Sequence, residues 1–334
     1  MKTMLNVSFF IIFTHEQGIY VPFVLQIVAG TSAFLGSFTI LLVTSTIKKD
    51  FTNKFGLIAG LAGADTAVGL AYIGGGSQRL IDTLWSEETV SVSPLDCIRN
   101  GFVPIQVFGM QCSALMTLSI AADRCIAILV FRMYRRLSDW YITISTVSIY
   151  VFCILSALVF VGTTAILSET TRFHPICFAP LIPQKHYFIY HNNLLICCGL
   201  ISCLFYSMAL LALRFNYFSI SSANRRLLAV RTRRLRQTKI TKVVGLVVMW
   251  TTIFVTIPSL GRIFLKFEYL NSHPFDYRLI TAYMMFLVPL NSSINIIIYA
   301  YHYRAFRQAL KNCIRNVMSK LRNNYCFQYI ACTM

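Results

Sequence analysis

The sequence predicts an all-α membrane protein, a seven-transmembrane helix bundle with a short amphipathic cytoplasmic helix after the seventh span. Three observations point there. Apolar residues make up 56% of the 334 and charged residues only 13%, with a mean hydropathy of +0.63, which is too greasy for a soluble domain of this size. Six stretches lack Asp, Glu, Lys and Arg altogether (17–47, 100–122, 140–168, 186–213, 243–261 and 279–303), and a seventh, 55–78, holds only Asp65. Lipid gives backbone polar groups no partner, so a stretch of about 20 such residues satisfies itself as a helix. The third observation is the distribution of charge. One set of ends carries 22 of the 30 basic residues against three acids (Asp50, Asp123 and Asp139), while the other carries eight basic residues and eight acids. Basic loops stay inside, so the N-terminus is expected outside and the C-terminus in the cytoplasm, with the chain multi-pass in the plasma membrane.

Taken in order, residues 1–18 read as a short external tail with a glycosylation sequon at Asn6. Lys2 followed by the apolar run Leu5 to Phe13 is the alternative, a cleaved signal, although no small-residue cleavage site follows. The membrane domain covers 19–301, with helices expected at about 19–47, 55–80, 98–130, 139–167, 187–214, 239–265 and 277–301. Residues 302–314 follow as a surface helix. Tyr303, Phe306 and Leu310 share one face and Arg304, Arg307 and Lys311 another, and those bases suit anionic inner-leaflet lipid at about 1 kcal/mol each. Cys313 lies where palmitoylation is open to it, an unmodified edge cysteine being the other reading. Residues 315–334 form a cytoplasmic tail.

The formal charge of +18 raises nucleic acid as a partner, but the apolar content argues against it. Eleven cysteines without paired C-x-x-C spacing indicate no zinc site, and the six histidines are scattered. No catalytic constellation is visible, so an enzyme is not expected.

An Asp in the middle of a span costs about 2.5 to 3.5 kcal/mol on insertion scales and marks a functional site by default. Asp65 sits in Leu61-Ala62-Gly63-Ala64-Asp65, where small neighbours admit close helix approach. Ser113, Asn291, Ser292 and Asn295 are its candidate partners; Asn291 and Asn295, four apart, share a face. A protonated, merely structural Asp is the plainer alternative. At the inner end of the third span stands Ala122-Asp123-Arg124-Cys125, an acid and a base side by side. It is either a solvated helix end or a switch that holds and releases the arginine.

With these motifs the sequence resembles a rhodopsin-like (class A) G-protein-coupled receptor over roughly residues 19–314. Leu61 to Asp65 matches the second-helix motif. Asp123-Arg124-Cys125 matches aspartate-arginine-tyrosine with Cys for Tyr, and Asn295, Ile296 and Tyr299 match asparagine-proline-x-x-tyrosine with Ile for Pro. Pro258 is similar to the sixth-helix proline, but Thr256 stands where an aromatic toggle is expected. Tyr206 looks like the fifth-helix tyrosine, with Cys198 in place of proline, and Tyr150 lies near the missing fourth-helix tryptophan. These eroded motifs resemble the sx class of nematode serpentine chemoreceptors.

The resemblance implies a sodium pocket at Asp65, Ser113, Asn291 and Asn295, sodium being the one cofactor or metal it suggests. It implies coupling and switching through Asp123, Arg124, Tyr206 and Tyr299, and a disulfide between Cys97 and Cys177. Cys97 precedes Arg124 by 27 residues, two more than the family's usual spacing. The ligand pocket carries over onto Phe102, Gln106, Met110, Tyr190, His191, Asn193, Ser259, Arg262, Tyr283 and Phe286. Gln106 occupies the place of the amine-binding aspartate, which disfavours an amine, and Pro289 occupies the place of the retinal lysine. Arg262 either meets an anionic or carbonyl-bearing ligand or snorkels to the headgroups. His191 and Asn193 either bond a ligand or are simply wet.

The function implied is reception of an extracellular ligand, a non-aminergic small-molecule cue or a peptide, with activation of a heterotrimeric G protein. A neuropeptide receptor of the same fold is the near alternative. A multi-span transporter or channel is the rival from another class, though the internal repeats and broken helices typical of transporters are not visible.

Overall fold

The computed structural model describes residues 20–46, 49–85, 93–99, 102–130, 134, 140–167, 185–220, 241, 243–268, 274–302, 306–315 and 319. Among them, seven helices are long and apolar enough to cross a membrane and no strand occurs. The first four spans lie in Val21–Thr46, Lys49–Trp85, Phe102–Leu129 and Trp140–Leu167. The fifth is Lys185–Ile220, the sixth runs through 243–251, the π-helical turn Thr252–Thr256 and Ile257–Glu268, and the seventh is Pro274–His302. The observed limits differ from the expected ones by up to six residues: the second helix starts at Lys49 rather than 55, and the fifth continues to Ile220 rather than 214. The second helix also runs on to Trp85 rather than stopping near 80, and the third begins only at Phe102 because Pro94–Arg99 forms a separate short helix.

Helix starts follow from local chemistry. Pro22, Pro94, Pro104 and Pro274 all fall in first turns, where a missing N–H costs nothing. Ser93 and Asp96 cap the short helix reciprocally: Asp96 N–H donates to Ser93 Oγ (3.2 Å) and Ser93 N–H to Asp96 Oδ2 (3.1 Å).

The spans close a ring in which the first packs on the second and seventh, the sixth on the fifth and seventh, and the third on the second, fourth and fifth. The fourth is the most lipid-exposed. Tyr150 ties it inward, donating to the Gly60 carbonyl at 2.7 Å and meeting Phe108 edge-on. Exposed Val, Leu, Ile and Phe side chains such as Val28, Leu35, Leu158 and Leu204 form the outer wall, as a chain solvated by lipid requires.

Two backbone irregularities lie in the sixth and seventh spans. Pro258 has no N–H to give to residue 254; just before it the helix widens to i→i−5 bonding, with Ile257 N–H donating to the Thr252 carbonyl. Such bulges recur at functional sites. Pro289 stands inside the seventh helix without ending it. Residues 306–315 form the surface helix, with Phe306 buried under Tyr299, Leu310 and Cys313 half-buried, and Arg307 and Lys311 exposed.

The N-terminal tail with Asn6, the loop that holds Cys177, the basic stretch Arg225 to Arg236 and the tail beyond 319 lie outside the described residues.

Candidate functional site

Three polar regions lie along the bundle axis: one in mid-membrane, one at the end bearing Arg124 and one toward the end bearing Cys97. In the middle, the second, third and seventh spans place Asp65, Ser113 and Asn295 together. Ser113 Oγ donates to Asp65 Oδ1 and Asn295 Nδ2 donates to Asp65 Oδ2, both at 2.8 Å. Ser292 approaches the same carboxylate. Asp65 and Asn295 are each 1% exposed, so the polar groups are paid for by one another rather than by water. Beside them lies a small cavity lined by Ser113, Thr251, Asn291 and Ser292 and by apolar groups that include Met110 and Val255, with room for about one water-sized body. Asn291 Oδ1 accepts from Thr251 Oγ1 at 3.2 Å, so the cavity touches the residue just before the π-helical turn.

Whether the sodium implied by the sequence suits this site rests on its donor set. Asp65, Ser113 and Ser292 offer hard oxygens, and Asn295 Oδ1 is buried without a hydrogen-bond partner. Ser113 and Ser292 line the small cavity and meet the Asp65 carboxylate beside it, a set of hard oxygens that fits a hard cation.

At the Arg124 end, the guanidinium is bound by the neighbouring Asp123 carboxylate through both Nε and Nη2. Nη2 also donates to the Tyr134 hydroxyl at 3.4 Å. Burial pushes the Tyr134 phenol up to about 12, so it stays neutral at physiological pH. Tyr206 of the fifth span lies over Gly245 of the sixth, where any Cβ would collide with its ring; that slot brings the two helices together. Tyr299 is 4% exposed and packs on Phe306. Arg124, Tyr206 and Tyr299 are thus each held by a neighbour.

Toward the Cys97 end, the residues expected from the sequence to line an outer pocket differ in burial. Gln106, Met110, His191, Ser259 and Arg262 are buried; Phe102, Tyr283 and Phe286 are half-buried. Gln111 Nε2 lies 3.1 Å from His191 Nδ1 and 3.3 Å from the Tyr187 hydroxyl, which itself donates to the Ser156 carbonyl at 3.1 Å. This network joins the third, fourth and fifth spans.

Two expected pocket residues turn elsewhere. Tyr190 is 39% exposed with its hydroxyl 3.5 Å from Ser156, and Asn193 is exposed. The helix phase gives the inward place to Asn192 instead, fully buried and donating to the Phe188 carbonyl at 2.9 Å. Arg262 does not snorkel: it is 3% exposed and donates to Ser259 Oγ at 2.8 Å, one turn nearer mid-membrane.

Sequence reasoning missed Tyr72, Arg79, Gln26 and Gln111. Arg79 lies at the expected outer end of the second helix, among the external basic residues, yet the helix continues six residues past it and Arg79 is 2% exposed. The signal was Gly74-Gly75-Gly76, one turn earlier: the Arg79 guanidinium lies 3.5 Å from where a Gly75 Cβ would stand.

Thr256, at the toggle position, is buried against Gly199 of the fifth span, whose missing Cβ leaves just enough space for the threonine. An aromatic ring would not fit there. Cys97 is in a disulfide, its expected partner Cys177 lying outside the described residues. Cys313 is a free thiol. Among the described residues no group of three or more His, Cys, Asp or Glu is arranged to hold a metal.

A search of curated proteins finds no match for the chain. The family model described as serpentine type 7TM GPCR chemoreceptor Srsx matches residues 98–314, from just before the third span to the end of the surface helix. That is more than half of the chain, and with the seven apolar helices it places the protein in the Srsx family of serpentine seven-transmembrane chemoreceptors.

Proposed function

We propose that the protein is a chemosensory receptor of the plasma membrane that binds a non-aminergic extracellular ligand at the Cys97 end and activates a heterotrimeric G protein at the Arg124 end. The observation that carries this is the hold on Arg124, whose guanidinium is bound by Asp123 and Tyr134, and Tyr206 seated against Gly245 ties the fifth span to the sixth. Opening that end requires the sixth span to move away from the fifth, which unseats Tyr206. The π-helical turn before Pro258 supplies a hinge, because its widened hydrogen bonding is already displaced from the α-helical register. Thr251 links the start of that hinge to Asn291 and the mid-membrane cavity. A ligand favouring the open state shifts a standing equilibrium, by no more than its difference in affinity for the two states.

Sodium would be held by Asp65, Ser113, Asn291 and Asn295, with Ser292 beside them, and would supply a positive charge between the second, third and seventh spans. The Ser113 hydroxyl and the Asn295 amide are oriented by their hydrogen bonds to the Asp65 carboxylate. The disulfide at Cys97 and the basic excess at the Arg124 end support an external N-terminus and a cytoplasmic C-terminus.

The test is ligand-evoked calcium or cAMP signalling in cells that display the receptor, screened with odorants and peptides. Arg124→Ala is expected to abolish the response with surface display intact. A response that persists in Arg124→Ala, or transport of the ligand without a second-messenger signal, refutes the proposal.

A further inference from the structure

The outer wall of the bundle is mostly apolar, because lipid is its solvent. Asn193 of the fifth span breaks that pattern. It is exposed while Asn192 beside it is buried, and among the described residues it is the only exposed amide side chain within a span. The charge-free stretch 186–213 is about 42 Å long, against a hydrocarbon core of about 30 Å, so a core centred on it begins about one turn outside Asn193. Hydroxyls on the wall avoid the penalty of facing lipid by donating back one turn, Thr31 to the Ile27 carbonyl at 2.8 Å and Thr39 to the Leu35 carbonyl at 2.7 Å. The Asn193 amide finds no such partner among the described residues. A bare amide at that depth is costly, and a polar group from outside the chain relieves the cost.

The residues below Asn193 fit one kind of partner. Asn193, Cys197, Leu200, Leu204, Ser207 and Leu211 follow one another at alternating steps of four and three residues, and all are exposed. A mean step of 3.5 is the repeat of a left-handed helix pair. Small Cys197 and Ser207 admit a second backbone, and the leucines supply van der Waals packing, the main attraction between helices where lipid removes the hydrophobic drive. The seam lies away from buried Leu195, Cys198 and Ser202 on the same helix, so a partner there leaves the bundle interior undisturbed.

Two copies of this chain share one topology, so side by side in a membrane their fifth spans run parallel about a two-fold axis along the membrane normal. Each seam residue then meets its own counterpart at the same depth. An amide is self-complementary across such an axis, since each carbonyl accepts from the other's N–H. A lipid headgroup satisfies the amide but makes no use of the seam beneath it.

We propose that the protein forms a parallel dimer through its fifth spans, with the two Asn193 side chains hydrogen-bonded to each other and Leu200, Leu204 and Leu211 packed below them. The dimer depends on the membrane topology and on neither the ligand nor the G protein.

The test uses the full chain in phosphatidylcholine vesicles, half of it carrying a donor and half an acceptor fluorophore on a C-terminal tag, with energy transfer followed as lipid is added. Transfer is expected to exceed that of a random distribution and to saturate. Asn193→Leu is expected to shift the midpoint to at least about fivefold higher protein density, the size of one interhelical amide contact. Asn193→Gln keeps the amide and is expected to stay within about twofold of the wild type. Because the position faces lipid, Asn193→Leu is expected to melt as the wild type does when both are diluted to monomers, and Asn193→Ala serves as a second variant with the same expectation. In a chain with Cys313, Cys326 and Cys332 changed to Ser, copper-phenanthroline and oxygen are expected to link two copies through Cys197, and Cys197→Ser is expected to remove that link. Energy transfer at the random level would mean that lipid headgroups alone meet Asn193 and would overturn the proposal. So would pairing left unchanged by both Asn193→Leu and Asn193→Ala, or a cross-link that survives Cys197→Ser.

Discussion

Replacing Asp65 by Ala and by Asn distinguishes what its shape contributes from what its charge contributes. In Asp65→Ala the Ser113 hydroxyl and the Asn295 amide both lose the acceptor they hold at 2.8 Å. An interhelical polar contact inside a membrane is worth about 0.6 to 2 kcal/mol, so losing two costs roughly 1 to 4 kcal/mol. At about 2 °C per kcal/mol for a large domain, the melting temperature falls by roughly 2 to 8 °C. In Asp65→Asn the new amide oxygen still accepts from Ser113, but its Nδ2 meets the Asn295 donor. Asn295 Oδ1 has no hydrogen-bond partner, so turning that amide over restores the pair, and the loss stays under about 1 kcal/mol.

The assay is thermal unfolding in nanodiscs with a thiol-reactive dye, since Cys112, Cys125, Cys153 and Cys198 are free and buried and become reactive as the bundle opens. Sodium in place of potassium is expected to raise the melting temperature of the wild type and to leave Asp65→Asn unmoved. Equal destabilisation by Ala and Asn would refute the hydrogen-bond reasoning, and a sodium gain retained in Asp65→Asn would refute the ion site.

Tyr134→Phe removes a hydroxyl from the shell around Arg124, and basal second-messenger signalling is expected to rise severalfold at equal surface display. Gly199→Ala sets a methyl group against the Thr256 side chain. It is expected to cost about 1 to 3 kcal/mol of stability by overpacking, and Thr256→Ala in the same chain is expected to recover most of it in the melting assay. Additive losses in the double variant would mean that the two residues do not share that space.

Much of this protein was legible in its sequence because lipid imposes a single rule: each span must satisfy its own backbone. Charge-free stretches therefore located the helices, with ends up to six residues out, and Asp65 stood out because a carboxylate there needs partners. Ser113 and Asn295 were readable as those partners from their polarity in apolar segments. Helix phase was not readable in the same way. In the fifth span both Asn192 and Asn193 are polar, and only packing against the third and sixth spans turns Asn192 inward and leaves Asn193 exposed.

The direction of a long side chain is likewise a tertiary outcome. Arg262 reads either as a ligand contact or as a headgroup anchor, and Arg79 only as one of the external basic residues, since flexible stems reach either way. Glycines on the same helix, a hydroxyl one turn earlier and the neighbouring spans decide that both guanidiniums face the interior. The sequence by itself determined how many times the chain crosses the bilayer and which residues are chemically out of place there. Which of those residues meet was decided by the packed bundle, because contacts between helices depend on rotation and side-chain direction, and hydropathy constrains neither.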